Sequence, residues 1–450
     1  MKRVLKAMTL ASMAFILSAS LAMAQREGPS AAPVANVDVH SLPPIGTASN
    51  FEPRRATAAY LSRISGAARA RSDSYFEGGY ALLFVDAFFA IALSALLMWL
   101  GLSARMRELA RRWTDSPFWQ VPIYVAQYLT FITLITLPLT IYESYFRERA
   151  YGLMNQTFLQ WFADQGKAFG LNLLAGMFVI TLIYWAIRRA RRTWWLWGAG
   201  ITLAFVAFEM IIAPVFILPL FNNYTPLNQS PLKADILSLA RANGIPADDV
   251  FLVDASRQSD RISANVSGFL GTTRISLNDN LLHKGTHDEV LAVLGHEMGH
   301  YVLDHGFRLL LLNALLIFAG FAFADWGFRA LTARYGERWK VETIDDPAGL
   351  PVLMALATFY FLLATPVSNT ITRTTEIQAD MFGINAVRKP DAFATVVLKI
   401  SAYRKLDPAP WEEFVFYDHP SGHTRIWEGM RWKAEHLNDP DIKAGPVAPQ

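Results

Sequence analysis

Two histidines stand four residues apart at positions 296 and 300, and a glutamate directly follows the first of them. On an α-helix, positions four residues apart lie on one face about one turn from each other, so His296 and His300 can both reach one metal ion. Glu297 lies beside that ion without binding it and can take a proton from a water molecule. These residue types at this spacing predict metal-dependent hydrolysis.

The residues before the motif predict the helix that the two histidines need. Thr286 and Glu289 fit a capping box ahead of apolar residues at helical spacing, so we expect a helix from about 287 to 303. The alternative is a core helix whose histidines bond to neighbouring side chains. The His-Glu-x-x-His pattern is typical of zinc proteases, which need a third protein ligand and keep a fourth position open.

A candidate third ligand lies downstream, in a helical segment over 369–380 that continues out of an apolar run. Glu376 would complete a His-His-Glu set for one Zn²⁺ per chain. Asp380, one turn further on the same face, can orient a ligand imidazole through its other ring nitrogen, and Arg373, one turn back, can pair with either carboxylate. The alternative for this segment is a solvated, charged helix end. Beside the histidine motif we favour the ligand interpretation.

The composition points to a membrane protein. Of the 450 residues, 53% are hydrophobic and the mean hydropathy is +0.23, which is too apolar for an ordinary soluble domain. The net charge is only +3, and no basic stripe is interleaved with aromatics, so we expect no nucleic-acid partner. The chain has no cysteine, which excludes disulfides and leaves histidines and carboxylates as metal ligands.

Six long apolar segments can each cross a bilayer, at about 79–102, 119–142, 167–187, 195–220, 307–331 and 349–370. A basic start, an apolar run and Ala-Met-Ala at 22–24 predict a signal peptide over 1–24, although an uncleaved seventh span is the alternative. Large buried core helices would be an alternative to spans, but the lengths and the terminal Trp and Tyr residues favour the membrane. Four polar residues inside the spans suggest a wet interior: Asp86, Glu209, Asn313 and Asp325.

These spans divide the chain into six parts. The predicted parts are the start at 1–24, a linker with an amphipathic segment at 25–78, four spans at 79–220, a soluble insert at 221–305, two spans at 306–370, and the third-ligand helix with a C-terminal catalytic segment at 371–450. Residues 25–58, rich in Pro, Ala and Ser, have no apolar period.

The insert is predicted to be small and α+β. We expect a helix over 233–243, a strand over 250–253, and two strands over 263–269 and 273–277 around a turn at Gly271. A strand beside a metal-binding helix can be an edge to which a substrate backbone adds, and glycine lets another backbone come close. We therefore expect Ala264, Asn265 and Gly268 to bind substrate.

Together these residues resemble the type I CAAX prenyl proteases, integral-membrane zinc endopeptidases that process prenylated C-termini. The resemblance covers about 75–431 and rests on the segments 220–227, 265–269, 296–300, 369–380 and 418–420. It implies a mostly α-helical, polytopic membrane bundle or barrel of six or seven spans that encloses a water-filled chamber, with a small α+β zinc-metalloprotease domain. It also implies that His296, His300 and Glu376 bind zinc, that Glu297 is the general base, and that Asn265 lies on the substrate-binding edge strand.

The resemblance implies two further roles. His419 matches a family histidine before proline that is placed to stabilise the oxyanion. Arg425 matches a family arginine near the zinc glutamate and would help His419 in that role. Without the resemblance, His419 would be interpreted as a surface turn residue, and His423 lies near enough to be confused with it. The family usually has a second proline after His-Pro, whereas this chain has Ser421, so the loop departs from the family pattern.

The positive-inside rule predicts which way the catalytic insert faces. Arginine clusters follow the first and third spans, at Arg105, Arg107, Arg111 and Arg112 and at Arg188, Arg189, Arg191 and Arg192. With both loops in the cytoplasm, the insert would face the periplasm from a bacterial inner membrane, in agreement with the signal-like start. The eukaryotic members of the resembled family present this site to the cytosol.

The sequence therefore predicts a membrane-embedded zinc endopeptidase that acts on a peptide or protein substrate, lipidated or not, in contact with membrane lipid. Within the same class, the alternative is a quality-control protease that cuts damaged membrane proteins without prenyl specificity. From other classes, the alternatives are a catalytically silent membrane chaperone or assembly factor and a transporter. The intact Glu297 and Glu376 argue against a silent protein.

Overall fold

The structure is a computed structural model and describes residues 51–268 and 273–443. The predicted signal peptide, the first part of the predicted linker and the turn at Gly271 lie outside the described residues.

Six helices in the described part of the chain are long and apolar enough to cross a membrane, which confirms the predicted number of spans there. They are α2 (Gly66–Trp99), α4 (Pro117–Ile141), α5 (Phe158–Arg189), α6 (Trp194–Ile212), α10 (His305–Trp339) and α11 (Leu350–Val387). A π-helical turn extends α4 into a short helical end at Arg147–Ala150, and a π-helical and a 3₁₀ turn extend α6 to Leu220. The mostly α-helical membrane fold is thus confirmed.

The shorter elements lie before, between and after these spans. The helices are α1 (Pro53–Leu61), α3 (Leu102–Trp113), α7 (Pro231–Ala242), α8 (Asp279–Lys284), α9 (His287–Val302), α12 (Pro390–Ile400), α13 (Pro410–Phe416) and α14 (Gly422–Glu435). The strands are β1 (Tyr224–Pro226), β2 (Val250–Val253), β3 (Ala264–Ser267) and β4 (Arg274–Asn278).

Several spans continue as helices beyond their apolar segments. Helix α2 begins at Gly66 rather than near 79. Helix α11 is one continuous helix that contains both the apolar run and the predicted ligand segment. An apolar window marks the part of a helix that the bilayer covers, whereas backbone hydrogen bonding can continue outside it. Glu376 is therefore positioned directly by the last span.

The prediction of a linker is wrong at the C-terminal end of that segment. Residues Pro53–Leu61 form α1, which starts with proline in its first turn, where the missing N–H costs nothing. Tyr60 is buried, and its hydroxyl donates to Asp391 Oδ1 at 2.6 Å. This contact is with a residue more than 300 positions away, so local composition could not reveal it.

The insert contains a four-stranded sheet with the order β1-β2-β4-β3. Strands β2 and β4 are parallel, and the other two pairs are antiparallel. Asn265 of β3 pairs with Ser276 of β4. Within the described residues β3 has a neighbour on one side only, so it is an edge strand.

Helices α9 and α11 pack unusually closely because glycines line their contact. A Cβ atom on Gly383 would lie 2.7 Å from the backbone nitrogen of His296, and one on Gly299 would lie 3.1 Å from Ala379 Cα. Small residues let two helix backbones approach in this way. The close approach brings the two histidines of α9 beside Glu376 of α11.

The arginine-rich segments and the insert lie at opposite ends of the spans. Near the start of α4, Arg188 Nη1 donates to the Pro117 carbonyl at 2.7 Å. Near its other end, Glu148 Oε2 pairs with Arg261 of the insert at 2.5 Å. Arg107, in the other cluster, donates to the Lys340 carbonyl at 2.9 Å, and α10 ends beside that residue. Both clusters therefore share one end.

Two of the four polar residues in the spans serve local packing. Asp325 Oδ1 accepts from Trp194 Nε1 at 2.5 Å and from Arg329 Nη2 at 2.9 Å. Asn313 Nδ2 donates to the Leu309 carbonyl at 2.8 Å. These bonds satisfy both side chains within the protein, so neither requires the wet interior that the sequence suggested.

Candidate active site

The motif helix forms as the sequence predicted. Helix α9 spans His287–Val302, and Thr286 caps it. The Glu289 amide donates to Thr286 Oγ1 at 3.3 Å, while the Thr286 amide donates to Glu289 Oε2 at 2.8 Å. This reciprocal capping box fixes the start of the helix and therefore the rotation of its histidine face.

Three side chains converge on a point that could hold a metal ion. His296 Nε2 and His300 Nε2 are 3.1 Å apart. They lie 3.3 Å and 3.5 Å from the two carboxylate oxygens of Glu376. Ligand atoms at about 2.0–2.1 Å from a tetrahedral zinc lie about 3.4 Å from each other. The three groups therefore have the spacing of a His-His-Glu metal site.

His296 is held by an ionic chain. Its Nδ1 is 2.7 Å from Asp380 Oδ1, and Arg425 makes a two-pronged contact with the same carboxylate at 2.8 Å and 2.6 Å. Because a carboxylate only accepts, His296 Nδ1 carries the proton and Nε2 faces the candidate site. Burial alone lowers the pKa of His296, but Asp380 and Glu376 outweigh it and raise this pKa to about 10. The site therefore attracts a cation, either a proton or a metal.

His300 is held by a neutral chain, which the sequence analysis missed. Its Nδ1 is 3.0 Å from His305 Nδ1, and His305 Nε2 is 3.2 Å from Gln378 Oε1. Since the amide oxygen accepts, His305 donates from Nε2 and accepts from His300 at Nδ1. Asp304, at a φ of 52°, separates α9 from α10. The only available sequence signal was a third histidine five residues after the motif.

The fit of these residues to a metal rests on their unmatched lone pairs. The two Nδ1 atoms are both engaged as donors, so both Nε2 lone pairs face each other at 3.1 Å. Glu376 Oε2 is buried and accepts no well-aligned hydrogen bond from the residues that the structure describes. Two lone pairs beside a carboxylate repel unless a cation lies between them. The donor set thus fits a metal ion with nitrogen and oxygen ligands.

Two other predicted residues lie beside this point. Glu297 Oε1 is 3.9 Å from His296 Nε2, and both line the same cavity. His419 Nε2 is 3.3 Å from Glu376 Oε2, while its Nδ1 is 3.0 Å from Asp418 Oδ1. His423 is exposed and faces Asp407 at 2.7 Å. The structure thus brings His419, and not His423, to the metal site.

The expectation that Arg373 pairs with Glu376 or Asp380 is wrong. Its guanidinium donates to the carbonyls of Glu413 and Tyr417 at 2.8 Å and 2.5 Å. Asp380 is already matched by an arginine from α14, and Arg373 lies on the side of α11 that meets the chain before His419. Arg373 therefore fixes the backbone of the segment that leads to His419.

Arg425 also differs from its expected role of helping His419 with the oxyanion. Its Nε and Nη2 donate to the two oxygens of Asp380. Burial tends to lower the pKa of Arg425, but Asp380 raises it above the ordinary value. A guanidinium committed to a buried carboxylate positions that carboxylate. Arg425 therefore acts on the site through Asp380 and His296.

A cavity of about 590 Å³ connects the candidate metal site with strand β3. Ala264, Asn265 and Gly268 line one wall, and Gly268 has a φ of 120°, a conformation that favours glycine. Asn265 Oδ1 is buried and has no partner among the described residues. The remaining wall is largely apolar and comes from the spans and from α12: Ala207, Met210, Ile211, Leu309, Leu310, Phe393, Val396 and Ile400.

A bundle of membrane helices that presents a His-Glu-x-x-His helix, a downstream glutamate and an open edge strand defines a membrane-embedded metalloprotease. Two family models match this chain: the CAAX prenyl protease N-terminal domain with five membrane helices over 54–223, and peptidase family M48 over 226–431. The chain belongs to peptidase family M48. The resemblance stated from the sequence is thereby confirmed, and the chaperone and transporter interpretations are not favoured.

Individual relatives agree with this assignment. The metalloprotease YhfN of Bacillus subtilis is 30% identical over 75% of this chain and 81% of the relative. CAAX prenyl protease 1 of Saccharomyces cerevisiae is 30% identical over 67% of this chain and 72% of the relative. The crystal structure of S. mikatae Ste24p has a TM-score of 0.69 and 22% identity, covering 95% of this chain and 98% of that chain, and shows the same fold.

Proposed function

We propose that this chain is a zinc endopeptidase in which His296, His300 and Glu376 bind the metal. The convergence of two Nε2 atoms and one carboxylate at 3.1–3.5 Å carries this proposal. Zinc bound there would polarise the scissile carbonyl and lower the pKa of water toward 7. A set of two histidines and one glutamate with an open fourth position is typical of catalytic rather than structural zinc.

The side chains around the metal would have different catalytic roles. Glu297 takes the proton of the attacking water and passes it to the leaving amine. His419, whose Nδ1 contacts Asp418 at 3.0 Å, would stabilise the developing oxyanion as an imidazolium, which donates from both ring nitrogens. Losing one such donor costs about 3 kcal/mol of barrier. Asp380 with Arg425, and His305 with Gln378, hold the two imidazoles in their working orientation.

The substrate would bind as an added strand along β3. The edge position of β3 leaves main-chain groups available on the cavity side, and Gly268 allows another backbone to approach. The apolar wall opposite accepts apolar side chains or a lipid chain. This mode requires an extended substrate and tolerates varied side chains, because main-chain hydrogen bonds supply much of the binding.

We also propose that the catalytic end faces the periplasm from a bacterial inner membrane. The opposite end carries exposed cations: Arg105, Arg111, Arg112, Arg189, Arg191, Arg192, Arg329, Arg334, Arg338 and Lys340. Trp113 and Trp119 beside them are 76% and 60% exposed, as expected of an interface belt. Reporters fused into the 102–118 loop and after residue 450 should report opposite sides, and a cytoplasmic C-terminus would contradict this placement.

This orientation bears on the substrate. Several relatives are named CAAX prenyl proteases, and a prenylated C-terminus is therefore one candidate substrate. A periplasmic site would not meet prenylated proteins of the cytosol, so the arginine distribution favours a second candidate, quality control of membrane proteins without prenyl specificity.

One assay separates the two candidates and tests the metal. A prenylated peptide and its unmodified form are compared as substrates of the purified protein, with and without a chelator. We expect cleavage of both peptides and its loss with the chelator, with recovery on adding Zn²⁺. Cleavage that survives complete metal removal would contradict the zinc mechanism. A strict requirement for the prenyl group would contradict the quality-control candidate.

A further inference from the structure

The cavity contains one arginine that contrasts with its neighbours. Arg404 lines the same cavity as His296 and Glu297. Its side chain donates no hydrogen bond and forms no ion pair with any residue in the described ranges 51–268 and 273–443, and its attraction to Asp418 and Glu376 acts only at longer range. Two other arginines of the catalytic end are matched, since Arg425 contacts Asp380 and Arg261 contacts Glu148.

The backbone that carries Arg404 is firmly held. It follows a 3₁₀ turn at Ser401–Tyr403, and Ser72 Oγ of span α2 lies 3.2 Å and 3.0 Å from the carbonyls of Ser401 and Arg404. The Tyr417 hydroxyl donates to the Lys405 carbonyl at 2.7 Å. The fold thus fixes the base of this side chain at the wall of the cavity.

The charge of Arg404 is poorly compensated. Burial lowers its pKa, and Asp418 only partly opposes this effect, whereas Asp380 raises the pKa of Arg425 above its ordinary value. A guanidinium nevertheless stays charged at neutral pH. A charge that is partly removed from water without a matching carboxylate is costly, which favours the binding of an anion at this position.

The surroundings indicate which anion fits. On the α12 side of the cavity, Phe393, Val396 and Ile400 supply an apolar wall, and the candidate metal site lies in the same cavity. A guanidinium presents parallel N–H donors that match a carboxylate. The anionic group that a peptide substrate carries is a carboxylate, either at its C-terminus or on an acidic side chain.

We propose that Arg404 binds a carboxylate of the peptide substrate and so selects where the chain is cut. This inference rests on the proposed function, because the substrate must lie in the same cavity for the contact to form. Arg404 is therefore a specificity-determining residue that touches substrate.

The test uses two sets of matched peptides on the metal-loaded full chain. In the first, a peptide with a free C-terminal carboxylate is compared with its C-terminal amide. In the second, amidated peptides carry Glu or Gln at successive positions around the cut. We expect the carboxylate form to be preferred by about 10- to 100-fold in kcat/KM in one of the sets, as a charged hydrogen bond would give. The set that shows the preference identifies the source of the carboxylate.

Variants connect this preference to Arg404. In Arg404→Gln the ratio of kcat/KM for the carboxylate peptide to that for its neutral counterpart should fall to near 1. In Arg404→Lys this ratio should take an intermediate value, because the positive charge stays but the paired N–H donors of the guanidinium are lost. Because the ratio is measured within each variant, a general loss of folded or metal-loaded protein lowers both rates equally and does not change the ratio. Arg241→Gln, at an exposed position on α7, is the control and should keep the wild-type ratio.

The outcomes separate this inference from the proposed function. Cleavage of both peptide forms at equal rates by the wild type, or an unchanged ratio in Arg404→Gln, would overturn the carboxylate site while leaving the protease mechanism intact. To follow binding without cleavage, Glu297→Gln protein is titrated with the same peptides. The same preference in affinity, lost in the double variant with Arg404→Gln, would support the inference even where turnover is slow.

Discussion

The candidate metal site and the wall of the substrate cavity differ in how far their polar side chains are hydrogen-bonded by the protein. At the metal site, the second nitrogen of each histidine is engaged, His296 by Asp380 and His300 by His305. On the wall, in the described part of the chain, Asn265 Oδ1 has no hydrogen-bond partner, and no side-chain hydrogen bond holds Arg404. The two imidazoles that must be rigid for chemistry are thus held by the protein, whereas the groups that we propose to meet the substrate are not.

A comparison within the metal site sharpens this contrast. His296 is held by a buried carboxylate and an arginine, whereas His300 is held by a neutral imidazole and an amide. An anionic partner makes an imidazole more basic than a neutral one does. If both histidines bind the metal as proposed, they should therefore contribute unequally to metal affinity, although they are equivalent in the motif.

The largest expected effect concerns the third ligand. Glu376→Ala should lower the metal content from about one ion per chain to near zero, because two histidines alone hold zinc weakly. Elemental analysis of the purified variant measures this, with Glu435→Ala, an exposed glutamate of α14, as the control. An unchanged zinc content in Glu376→Ala would remove this residue from the ligand set. It would also contradict the assignment of the metal site on which the comparison with the cavity wall depends.

Glu297→Gln should keep the metal and lose catalysis. The amide preserves the shape of the side chain but cannot accept a proton from water at neutral pH, so turnover should fall about 100- to 10,000-fold. The measurement is kcat on a peptide substrate together with metal content. Near-normal turnover at full metal occupancy would mean that another residue is the general base.

The two supporting chains can be tested against each other. Asp380→Asn leaves an acceptor beside His296 but removes the charge, so metal affinity should fall about 10- to 100-fold. His305→Gln replaces one neutral acceptor by another and should cost less. Competition with a chromophoric chelator measures both. A larger loss in His305→Gln than in Asp380→Asn would reverse the proposed inequality of the two ligands.

The smallest effect is expected on the wall. Asn265→Ala should lower kcat/KM about 2- to 10-fold without changing the metal content, as the loss of one hydrogen bond to substrate would. Asn438→Ala, at an exposed position near the C-terminus, should have no effect. Proline placed along the substrate should block cleavage only at the few positions that pair with β3. Tolerance of proline at every position would contradict strand addition.

Much of the site could be predicted because the motif is local. Positions 296, 297 and 300 share a helix, so their spacing and the capping box at Thr286 were sufficient to predict α9. Glu376 could be proposed as the third ligand because it follows an apolar run at helical register, and the structure places it beside His296 and His300. Arg373 was assigned wrongly, because helical spacing gives the neighbours on one helix but not the loop from another part of the chain that competes for the same side chain.

Sequence alone determined the membrane helices, the metal-binding pattern and its class of chemistry, since these depend on composition and short-range periodicity. Only the tertiary structure decided that α1 belongs to the core of the insert and that His305 rather than a residue of the motif contacts His300 Nδ1. It also decided that Arg404 lines the cavity without a side-chain hydrogen bond to the described residues. Each of these features depends on contacts between segments that are far apart in sequence, or on the direction that the chain takes between α9 and α10. Such contacts are set by the packing of whole helices, as at the glycines of α9 and α11, and no local pattern encodes them.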